Sequence, residues 1–586
     1  MKAVLIISMR IDDSCPPRKI NRLGVCICCL LASVSALRPG SAQAQTVAPT
    51  FECIGLYWKP GDDGLRPSES GKVEAQVRFR QEGEGAWRVG YPLWYDERDV
   101  EFRGSLVQLR PGTRHEIELT APSGKKASFT ATTRSERFPI AKTTHLPTGE
   151  LDKPLRIVES GTPEAWHLVT PAPGSKTVIN VFNLHDNCIE VAANYVIIRG
   201  LELKNAGQHA VLIRKGVQNV VIEDCHIAQW GRVGGARVWG VFHGSDSAVY
   251  GETGSGGLVI QRNLIEHPRS GSNDWESGHP DGPQAISLVN SSGGNIIRYN
   301  TIRSTEDHGY NDGIGGGSNF SFEGSPNRDS DIYGNIVANC WDDAIESEGA
   351  NMNVRIWGNY LDKTFVFVAT ASTSKGPLYI FRNVFGTSRV SHQDASGGMI
   401  IKTAGPRRFL ALNGEQVPGD QGRRYIFHNT TLQPNGALNV FSDHGLGNAV
   451  SRNNIFRVRG RVYPSASTQG PPNDLRNDLT SGYLAGGFVR SMFVPSDRLE
   501  WFLAPTVPAI KWGRIEYSRS GKNFAITDPV VEASNPAIDK GARLPGFNDD
   551  FQGAAPDIGA FENGNPPLSF GREAAPGFNR APWEKY

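Results

Sequence analysis

The chain has almost no net charge and few long apolar segments. Its 61 Lys and Arg residues are balanced by 60 Asp and Glu residues, so it has no basic field that would collect a nucleic acid or an anionic membrane surface. After the amino-terminal region, no apolar stretch approaches the roughly twenty residues needed to cross a bilayer. We therefore expect no nucleic-acid partner and no membrane insertion.

The amino terminus has the form of an export signal. Basic residues from Arg18 to Arg22 precede an apolar segment at 23–37, and Ala42-Gln43-Ala44 has the small-x-small pattern of a signal-peptidase site. The apolar segment is too short to span a bilayer. We predict a signal peptide over residues 1–44 and an exported protein, either periplasmic or extracellular.

Cysteine is scarce outside this leader. Of eight cysteines, four remain after it: Cys53, Cys188, Cys225 and Cys340. Such scattered residues do not form the disulfide framework of a large chain, and the absence of a Cys-x-x-Cys pair argues against a structural zinc site. We expect all four to be small buried apolar residues.

Residues 50–134 alternate apolar and polar positions in short runs broken by Gly and Pro, as in 73–79 and 115–119, which is typical of a small antiparallel sandwich. The stretch from Gly104 to His115, with Pro111-Gly112-Thr113 inside it, resembles the end of a fibronectin type III domain. His115 stands where that family has a corner tyrosine. We predict a fibronectin type III-like sandwich, followed by a linker over 135–155.

A short apolar motif ending in asparagine then recurs along the chain. Counted from Gly200 through Asp224 to Asn454, its spacings are 24, 39, 37, 35, 24, 24, 46 and 25 residues. The shortest spacing is 24 residues and every other spacing is equal or longer. This is typical of a solenoid in which loops are inserted into some coils while one corner of each coil stays constant. Asparagine suits that corner because it tolerates left-handed backbone angles and its amide can bond the same residue in the next coil.

These features predict an all-β protein built on a parallel β-helix. The short runs lack the two-residue turns of hairpins and the intervening helices of βαβ units. A left-handed β-helix would show a hexapeptide period, which is absent, so we predict a right-handed parallel β-helix over 156–465. Residues 466–586 are predicted to form a tail that packs on it.

The asparagine ladder resembles the right-handed β-helix proteins of the pectin-lyase-like superfamily, which includes pectate lyases, polygalacturonases and alginate-type lyases. The tail segments 535–541 and 555–562 are similar to a closing segment common in those proteins. The resemblance implies an exported carbohydrate-active enzyme with a polysaccharide substrate, and we expect it to be a monomer.

The coils with the longest insertions also carry an unusual set of acids. Asp281, Asp312 and Asp343 fall on consecutive coils, and equivalent positions on neighbouring coils lie about 4.8 Å apart. With Ile345 directed inward, alternation places Glu346 and Glu348 on the solvent side of their strand. Crowded carboxylates require either a raised pKa or a bound cation.

Two enzymatic hypotheses and one binding hypothesis follow. Paired acids could hydrolyse a glycosidic bond without a cofactor. Alternatively, Ca²⁺ could support β-elimination by a lysine or arginine base, for which Lys402, two or three coils further on, is the candidate. The scarcity of bases near the acids favours hydrolysis; a non-enzymatic glycan-binding solenoid is the third reading. The candidate catalytic residues are Asp281, Asp312, Asp343, Glu346, His279 and His308. The candidate substrate-binding residues are Trp275, Tyr310 and Lys402, and the calcium ligands, if any, are Glu346 and Glu348.

Overall fold

The computed structural model describes residues 44–61, 73–233, 246–386, 388–389, 398–403, 408–410, 416–418, 421–431, 439–441, 446–456, 473–480, 490–493, 537–566 and 568–585. The predicted signal peptide lies outside these ranges except for its last residue. Within them no helix is long and apolar enough to cross a membrane. The helices are single 3-10 turns at Trp275–Ser277, Glu306–His308, Arg572–Ala574 and Pro582–Glu584.

The amino-terminal part is an antiparallel, sandwich-like sheet. Alternation drives it, since Ala75, Val77 and Phe79 of one strand are buried while their neighbours are not. Its strands are Ala44–Pro49, Ile54–Lys59, Glu74–Gln81, Arg88–Val89, Leu93–Asp96, Glu101–Leu106, Arg114–Thr120 and Lys126–Thr132.

His115 fills the predicted corner position but does not make the corner hydrogen bond. Its ring is buried and packs edge-on against Phe79, with 6.3 Å between the ring centroids. Neither ring nitrogen has a hydrogen-bond partner among the described residues. The membership of this sheet in the fibronectin type III family therefore stays a prediction.

The described residues from Ile140 to Phe493 wind into a parallel β-helix, as predicted. Their strands form three sheets. The first sheet precedes the asparagine corner of each coil and contains Ile140–Leu146, Trp166–Pro171, Val196–Arg199, Val220–Glu223, Val259–Gln261, Ile296–Arg298, Asp331–Tyr333, Val354–Trp357, Leu378–Phe381, Arg424–Phe427, Ala449–Arg452 and the start of Asp474–Thr480. The second sheet follows the corner and contains Gly149–Leu151, Thr177–Asn180, Glu202–Lys204, His226–Ala228, Leu264–Glu266, Thr301–Arg303, Val384–Phe385, Thr430–Thr431, Ile455–Phe456 and the end of Asp474–Thr480.

The third sheet returns each coil toward the first. It contains Leu155–Ile157, Asn187–Val191, His209–Ile213, Ser247–Gly251, Gln284–Leu288, Ile314–Gly315, Met399–Lys402 and Asn439–Phe441. Two long strands, Ile336–Glu346 and Tyr360–Ala369, run through both the second and third sheets. Arg490–Phe493 pairs in parallel with Asp474–Thr480. Two antiparallel pairs lie outside the coils: Gly324–Ser325 with Glu348–Gly349, and Arg408–Leu410 with Gln416–Pro418.

The region predicted as a linker is part of the β-helix. Ile140–Leu146, Gly149–Leu151 and Leu155–Ile157 each pair in parallel with the following coil. The predicted start of the β-helix at residue 156 was wrong because the strands of the first coil are exposed and contain fewer apolar residues than the strands of internal coils. Parallel pairing also continues to Phe493, past the predicted end at 465.

The asparagine ladder is continuous and buried. Each side-chain amide donates to the carbonyl oxygen of the asparagine one coil on, at 2.9 to 3.0 Å through Asn263, Asn300, Asn335, Asn359, Asn383, Asn429 and Asn454. Asp478 accepts the last bond. The ladder fixes the register of the coils from Asn263 onward.

Two details of the predicted corner were wrong. The strand register aligns Asn263 with Cys225, so Asp224 and Gly200 are not ladder members but stand one position earlier. The left-handed backbone conformation also belongs to that earlier position, as at Arg262 with φ 56° and Gly334 with φ 66°. The asparagine is selected for its amide.

We expect Asn335→Ala to destabilise the protein by about 3 kcal/mol, because it leaves several buried donors and acceptors without partners. The Asn335 carbonyl accepts from both nitrogens of Asn300, and its amide donates to Ile297 and Asn359. Urea unfolding measures the change. The exposed Asn563→Ala is the control; equal stability of the two variants would show that the ladder contributes nothing.

The core lies inside the coils, filled by stacked Ile, Val and Leu side chains. All four cysteines predicted to be buried are buried and free. The amino-terminal sheet packs on the first sheet, where Phe51 and Val107 join an aromatic stack that includes Trp357 and Phe381. The amino-terminal sheet therefore covers the first sheet and leaves the third sheet, which carries Asp312 and Asp343, uncovered by it.

The carboxy-terminal tail runs back along the asparagine corner. The backbone nitrogens of Gly559 and Gly571 donate to the carbonyls of Asn453 and Gly334, and Trp583 Nε1 donates to Asp224 at 2.8 Å. Phe570 and Ala560 cover the second sheet. The described tail, 537–585, thus packs on the β-helix.

His428 holds the tail in place in its neutral form. Its Nδ1 lies 3.1 Å from the Gly559 carbonyl, and its Nε2 accepts from the amides of Asn453 and Asn548. Burial, aided by Arg382, lowers the pKa of His428 from 6.5 to about 3. Because the folded state disfavours protonated His428, the contribution of this residue to the free energy of unfolding is fully present above pH 6.5 and is lost as the pH falls toward 3.

We therefore expect protonation linked to His428 to lower the free energy of unfolding of the wild-type protein by about 3 kcal/mol at about pH 4.5, at roughly 1.4 kcal/mol per pKa unit. His428→Gln should flatten the acid limb of the stability profile, measured by urea unfolding from neutral to acid pH. The exposed Asn563→Ala, which removes no titratable group, should leave that limb unchanged. An acid limb that is the same in wild type and His428→Gln would disprove the assignment.

Candidate active site

Asp312 and Asp343 occupy equivalent positions on neighbouring coils of the third sheet. Ile314 pairs directly with Ile345, and both aspartates lie two residues earlier, so the two side chains start from equivalent positions on neighbouring coils. The backbone nitrogen of Asp343 donates to Asp312 Oδ1 at 3.1 Å. The adjacency predicted from the ladder is present.

A bulge brings Asp342 to the same face. The strand register shifts by one residue between Cys340 and Asp343, so that two consecutive aspartates can both reach the site rather than pointing to opposite faces. Carboxylate oxygens of Asp312, Asp342 and Asp343 lie within 4.8 Å of one another. Sequence alternation could not predict this.

Glu346 and Glu348 complete the cluster but are not exposed. They keep 8% and 2% of their surface accessible, because the loop after Ile314–Gly315 covers them. Gly316 N donates to Glu346 at 3.1 Å and Asn319 Nδ2 at 3.0 Å. The prediction that these glutamates face solvent was wrong, although Ile345 does point inward.

Glycine is required beside Glu346. A Cβ on Gly315 would lie 2.8 Å from the Glu346 carboxylate, and one on Gly316 would lie 2.4 Å from the Leu288 carbonyl. The glycine run thus permits a close approach of the loop backbone to the acids.

Lys402 enters the cluster from two coils further on. The register aligns Glu346 with Ala369 and Ala369 with Lys402, and the small Ala369 leaves room for the lysine to reach back. Its Nζ lies 2.7 Å from Asp343 and 3.4 Å from Glu348. Lys402 keeps 26% of its side chain exposed, so it is partly accessible to solvent.

The acids form two overlapping groups that share Asp343. In the group of Asp343, Glu346 and Glu348, the ammonium of Lys402 provides a cation. In the group of Asp312, Asp342 and Asp343, two buried oxygens, Asp342 Oδ1 and Asp343 Oδ1, have no hydrogen-bond partner within the described part of the chain. Buried polar atoms are normally paired, so this second group is suited to a cation.

Burial disfavours ionisation throughout the cluster. It raises the pKa of Asp343 to about 7, with Asp342 adding to the effect, and that of Glu346 to about 6, with Asp343 adding. Burial also raises the pKa values of Asp312, Asp342 and Glu348. Burial opposes the charge of Lys402, but the carboxylates outweigh it and hold its pKa well above the usual value.

The loop before Gln284–Leu288 lies beside Asp342. His279 Nε2 is 3.7 Å from Asp342 Oδ2, and 59% of the His279 side chain is exposed. Trp275 packs against His279 and Phe365, at centroid distances of 4.7 and 5.3 Å. The structure thus places both candidate residues of this loop at the edge of the acid cluster.

Three other candidates lie elsewhere. Tyr310 is fully buried in the core, and its hydroxyl donates to the Arg303 carbonyl at 2.7 Å, so its proposed contact with sugar was wrong. Asp281 belongs to neither group of acids; its backbone nitrogen is held by Asn273. His308 Nδ1 lies 2.8 Å from the Pro268 carbonyl, and its Nε2 faces Asp307.

Polar residues that were not predicted support the site. Gln284 Nε2 donates to Asp312 Oδ2 at 2.6 Å, and Asn311 Nδ2 donates to the same oxygen at 3.0 Å. Gln284 occupies the position equivalent to Asp312 one coil earlier, as the pairing of Ile286 with Ile314 requires. That register is the signal that could have identified it.

A cavity of about 500 Å³ lies in the tail and not at the acids. It is lined by Arg382, Phe561, Glu562 and their neighbours. Both oxygens of Glu562 already accept from backbone nitrogens, at 3.0 and 2.9 Å. The buried, charged cluster on the third sheet is therefore the stronger candidate for chemistry.

Comparison with known proteins gives structural likeness only. No family model and no curated protein matches the sequence. Among solved structures, a pectate lyase is 14% identical, with a TM-score of 0.38, over 74% of this chain and 91% of that chain. A rhamnogalacturonan lyase is 11% identical, with a TM-score of 0.30, over 60% and 76% of the respective chains.

The catalytic unit of an α-1,3-glucanase from Streptomyces thermodiastaticus is 10% identical, with a TM-score of 0.29, over 78% of this chain and 88% of that chain. At identities and TM-scores this low, the likenesses do not define the chemistry of this chain. The parallel pairing of the strands establishes the β-helix independently of these likenesses.

Proposed function

We propose that this protein is an exported carbohydrate-active enzyme that cleaves a uronic-acid polysaccharide by cation-dependent β-elimination, with Lys402 as the base. One observation carries the proposal: a partly exposed lysine contacts Asp343, whose other carboxylate oxygen is buried without a partner among the described residues. This pairs a candidate base with a candidate cation site. It reverses the sequence-based preference for hydrolysis, which depended on the scarcity of bases.

Charge balance supports a cation. Across the described ranges, five buried carboxylates face a single ammonium in this cluster, and several close carboxylates cannot all ionise in a buried site without compensation. Clustered carboxylate oxygens are the ligands that Ca²⁺ prefers. We place the cation among Asp312, Asp342 and Asp343, with Glu346 near it, rather than on Glu346 and Glu348 alone, because Lys402 already neutralises the latter group.

The reaction follows from these positions. A bound cation would hold and neutralise the uronate carboxylate, which acidifies the adjacent C–H bond. Lys402 takes that proton, the electron pair forms a C=C bond, and the glycosidic C–O bond breaks as the leaving oxygen gains a proton from water. The base must first be neutral, and the surrounding carboxylates oppose this unless a cation offsets their charge. Activity should therefore require the cation.

A second candidate is hydrolysis by paired acids. Asp343 has a pKa raised to about 7 by burial, which suits a general acid near neutral pH, and Asp312 stands beside it on the next coil. Carboxylates about 5 Å apart are typical of retaining glycosidases. This candidate needs neither a cation nor Lys402.

Product analysis separates these functions. The protein is incubated with polygalacturonate, alginate and a neutral α-1,3-glucan, with calcium or with EDTA. The proposal predicts ultraviolet-absorbing unsaturated ends from a uronate polymer, and none with EDTA. Reducing ends without that absorbance would establish hydrolysis instead, and binding without any cleavage would establish a glycan-binding protein.

A further inference from the structure

We infer, on the basis of the proposed function, that Asn311 is a further ligand of the cation and binds it through the side-chain oxygen. Asn311 keeps 8% of its surface accessible. Its oxygen Oδ1 is buried and has no hydrogen-bond partner in the part of the chain that the structure describes. Because buried polar atoms are normally paired, this oxygen is available to a ligand.

The strand pairing sets Asn311 opposite the bulge that carries Asp342. The register shift of the later strand begins just after Cys340. Tyr310 pairs with Cys340, so Asn311 is the next residue on the earlier strand. The backbone nitrogen of Asp342 donates to the Asn311 carbonyl at 3.0 Å. Asn311 and Asp342 are therefore direct neighbours on adjacent coils.

Contacts with Asp312 orient the Asn311 amide. Its nitrogen Nδ2 donates to Asp312 Oδ2 at 3.0 Å, and Asp312 Oδ1 accepts from the backbone of Asp343. Asp312 thus presents acceptors, and the donor end of the amide faces it while the acceptor end is left unpaired. Since both ends are bonded to the same carbon, Oδ1 also lies at the acid cluster. The backbone nitrogen of Asn311 donates to the Pro283 carbonyl at 2.9 Å, which holds the residue in place.

Three buried oxygens that lack partners among the described residues thus belong to one cluster: Asn311 Oδ1, Asp342 Oδ1 and Asp343 Oδ1. Ca²⁺ binds amide carbonyl oxygens as well as carboxylates. The amide adds an oxygen ligand without adding charge to a cluster in which several carboxylates already repel one another. A neutral ligand therefore suits this site better than a further acid.

The test measures calcium binding to the intact protein by isothermal titration calorimetry. Asn311→Leu should weaken binding at least about tenfold, because even residues that only orient metal ligands contribute about 10- to 100-fold to affinity. Asn311→Asp should bind calcium at least as tightly as wild type, because it keeps a ligand oxygen. If Asn311 only oriented Asp312 through its amide nitrogen, both variants would lose that donor and both would bind more weakly.

Gln284→Glu is the matched control for the charge that Asn311→Asp adds. Gln284 Nε2 donates to the same oxygen, Asp312 Oδ2, at 2.6 Å, but the side-chain oxygen of Gln284 already accepts from Ser287 Oγ. This variant adds the same charge and removes the same kind of donor at a residue whose oxygen has a partner. It should therefore bind calcium more weakly than Asn311→Asp. Equal affinities of these two variants would show that charge alone acts and would overturn the inference.

Melting temperatures in EDTA establish that each variant is folded. If Asn311→Leu does not fold, the comparison of Asn311→Asp with Gln284→Glu decides. Calcium binding that depends on Asn311, without cleavage of any glycan, would support the inference and overturn the proposed function. Calcium-dependent cleavage with an unchanged calcium affinity in Asn311→Leu would overturn the inference alone. A wild-type protein that binds no calcium would overturn both.

Discussion

Replacing Lys402 by methionine should lower kcat about a hundredfold or more, the range in which a positioned base contributes to catalysis. Lys402→Arg should be similarly inactive, because arginine keeps the positive charge but does not lose its proton. The measurement is the initial rate of unsaturated product formation from the best uronate substrate, with calcium present. Lys402 also pairs with Asp343 and Glu348. Since arginine keeps the positive charge of this pairing, the arginine variant separates chemistry from folding.

Lys363→Met is the matched control. Lys363 lies in a neighbouring strand and 38% of its side chain is exposed, where it pairs with Glu306. It should retain wild-type activity. Full activity in Lys402→Arg would rule out Lys402 as the base, and another group would then have to take the proton.

Calcium should raise the melting temperature of the wild-type protein and have no effect on Asp343→Asn. A ligand at a hundred times its dissociation constant stabilises the folded state by about 2.7 kcal/mol. Asp343 belongs to both groups of acids, so its loss should remove the cation site and, with it, activity. Differential scanning calorimetry at neutral pH, with calcium or EDTA, measures the shift.

Asp307→Asn tests whether any acid would give the same result. Asp307 is a neighbouring carboxylate with 79% of its side chain exposed, and this variant should respond to calcium as wild type does. Because Asp343→Asn also breaks the ion pair with Lys402, its response to calcium is judged against its own melting temperature in EDTA. A calcium shift that persists in Asp343→Asn would place the cation elsewhere.

The sequence predicted the fold and the pairing of two acids because both depend on the ladder. Once each asparagine marks a coil, residues at equal offsets lie on neighbouring rungs, and this places Asp312 beside Asp343. The same logic cannot detect a bulge. Asp342 was therefore assigned no role, although the register shift directs its side chain toward the other acids of the site.

Other differences arise from what a one-dimensional pattern omits. Tyr310 lies in a motif with a histidine and an aspartate, but its ring fills the coil interior in a stack over Trp230, with 6.2 Å between centroids. Lys402 is separated from the acids by long loops, and only the alignment through Ala369 shows that it returns to them. The burial of Glu346 depends on a loop whose path spacing alone does not give.

A crystal structure grown with Mn²⁺, which favours the same oxygen ligands as Ca²⁺, tests the central claim most directly. We expect an anomalous peak within coordination distance of Asp342 Oδ1 and Asp343 Oδ1, with Lys402 still beside Asp343. No peak at saturating Mn²⁺, or one that contacts Glu348 while Lys402 turns away, would contradict the account.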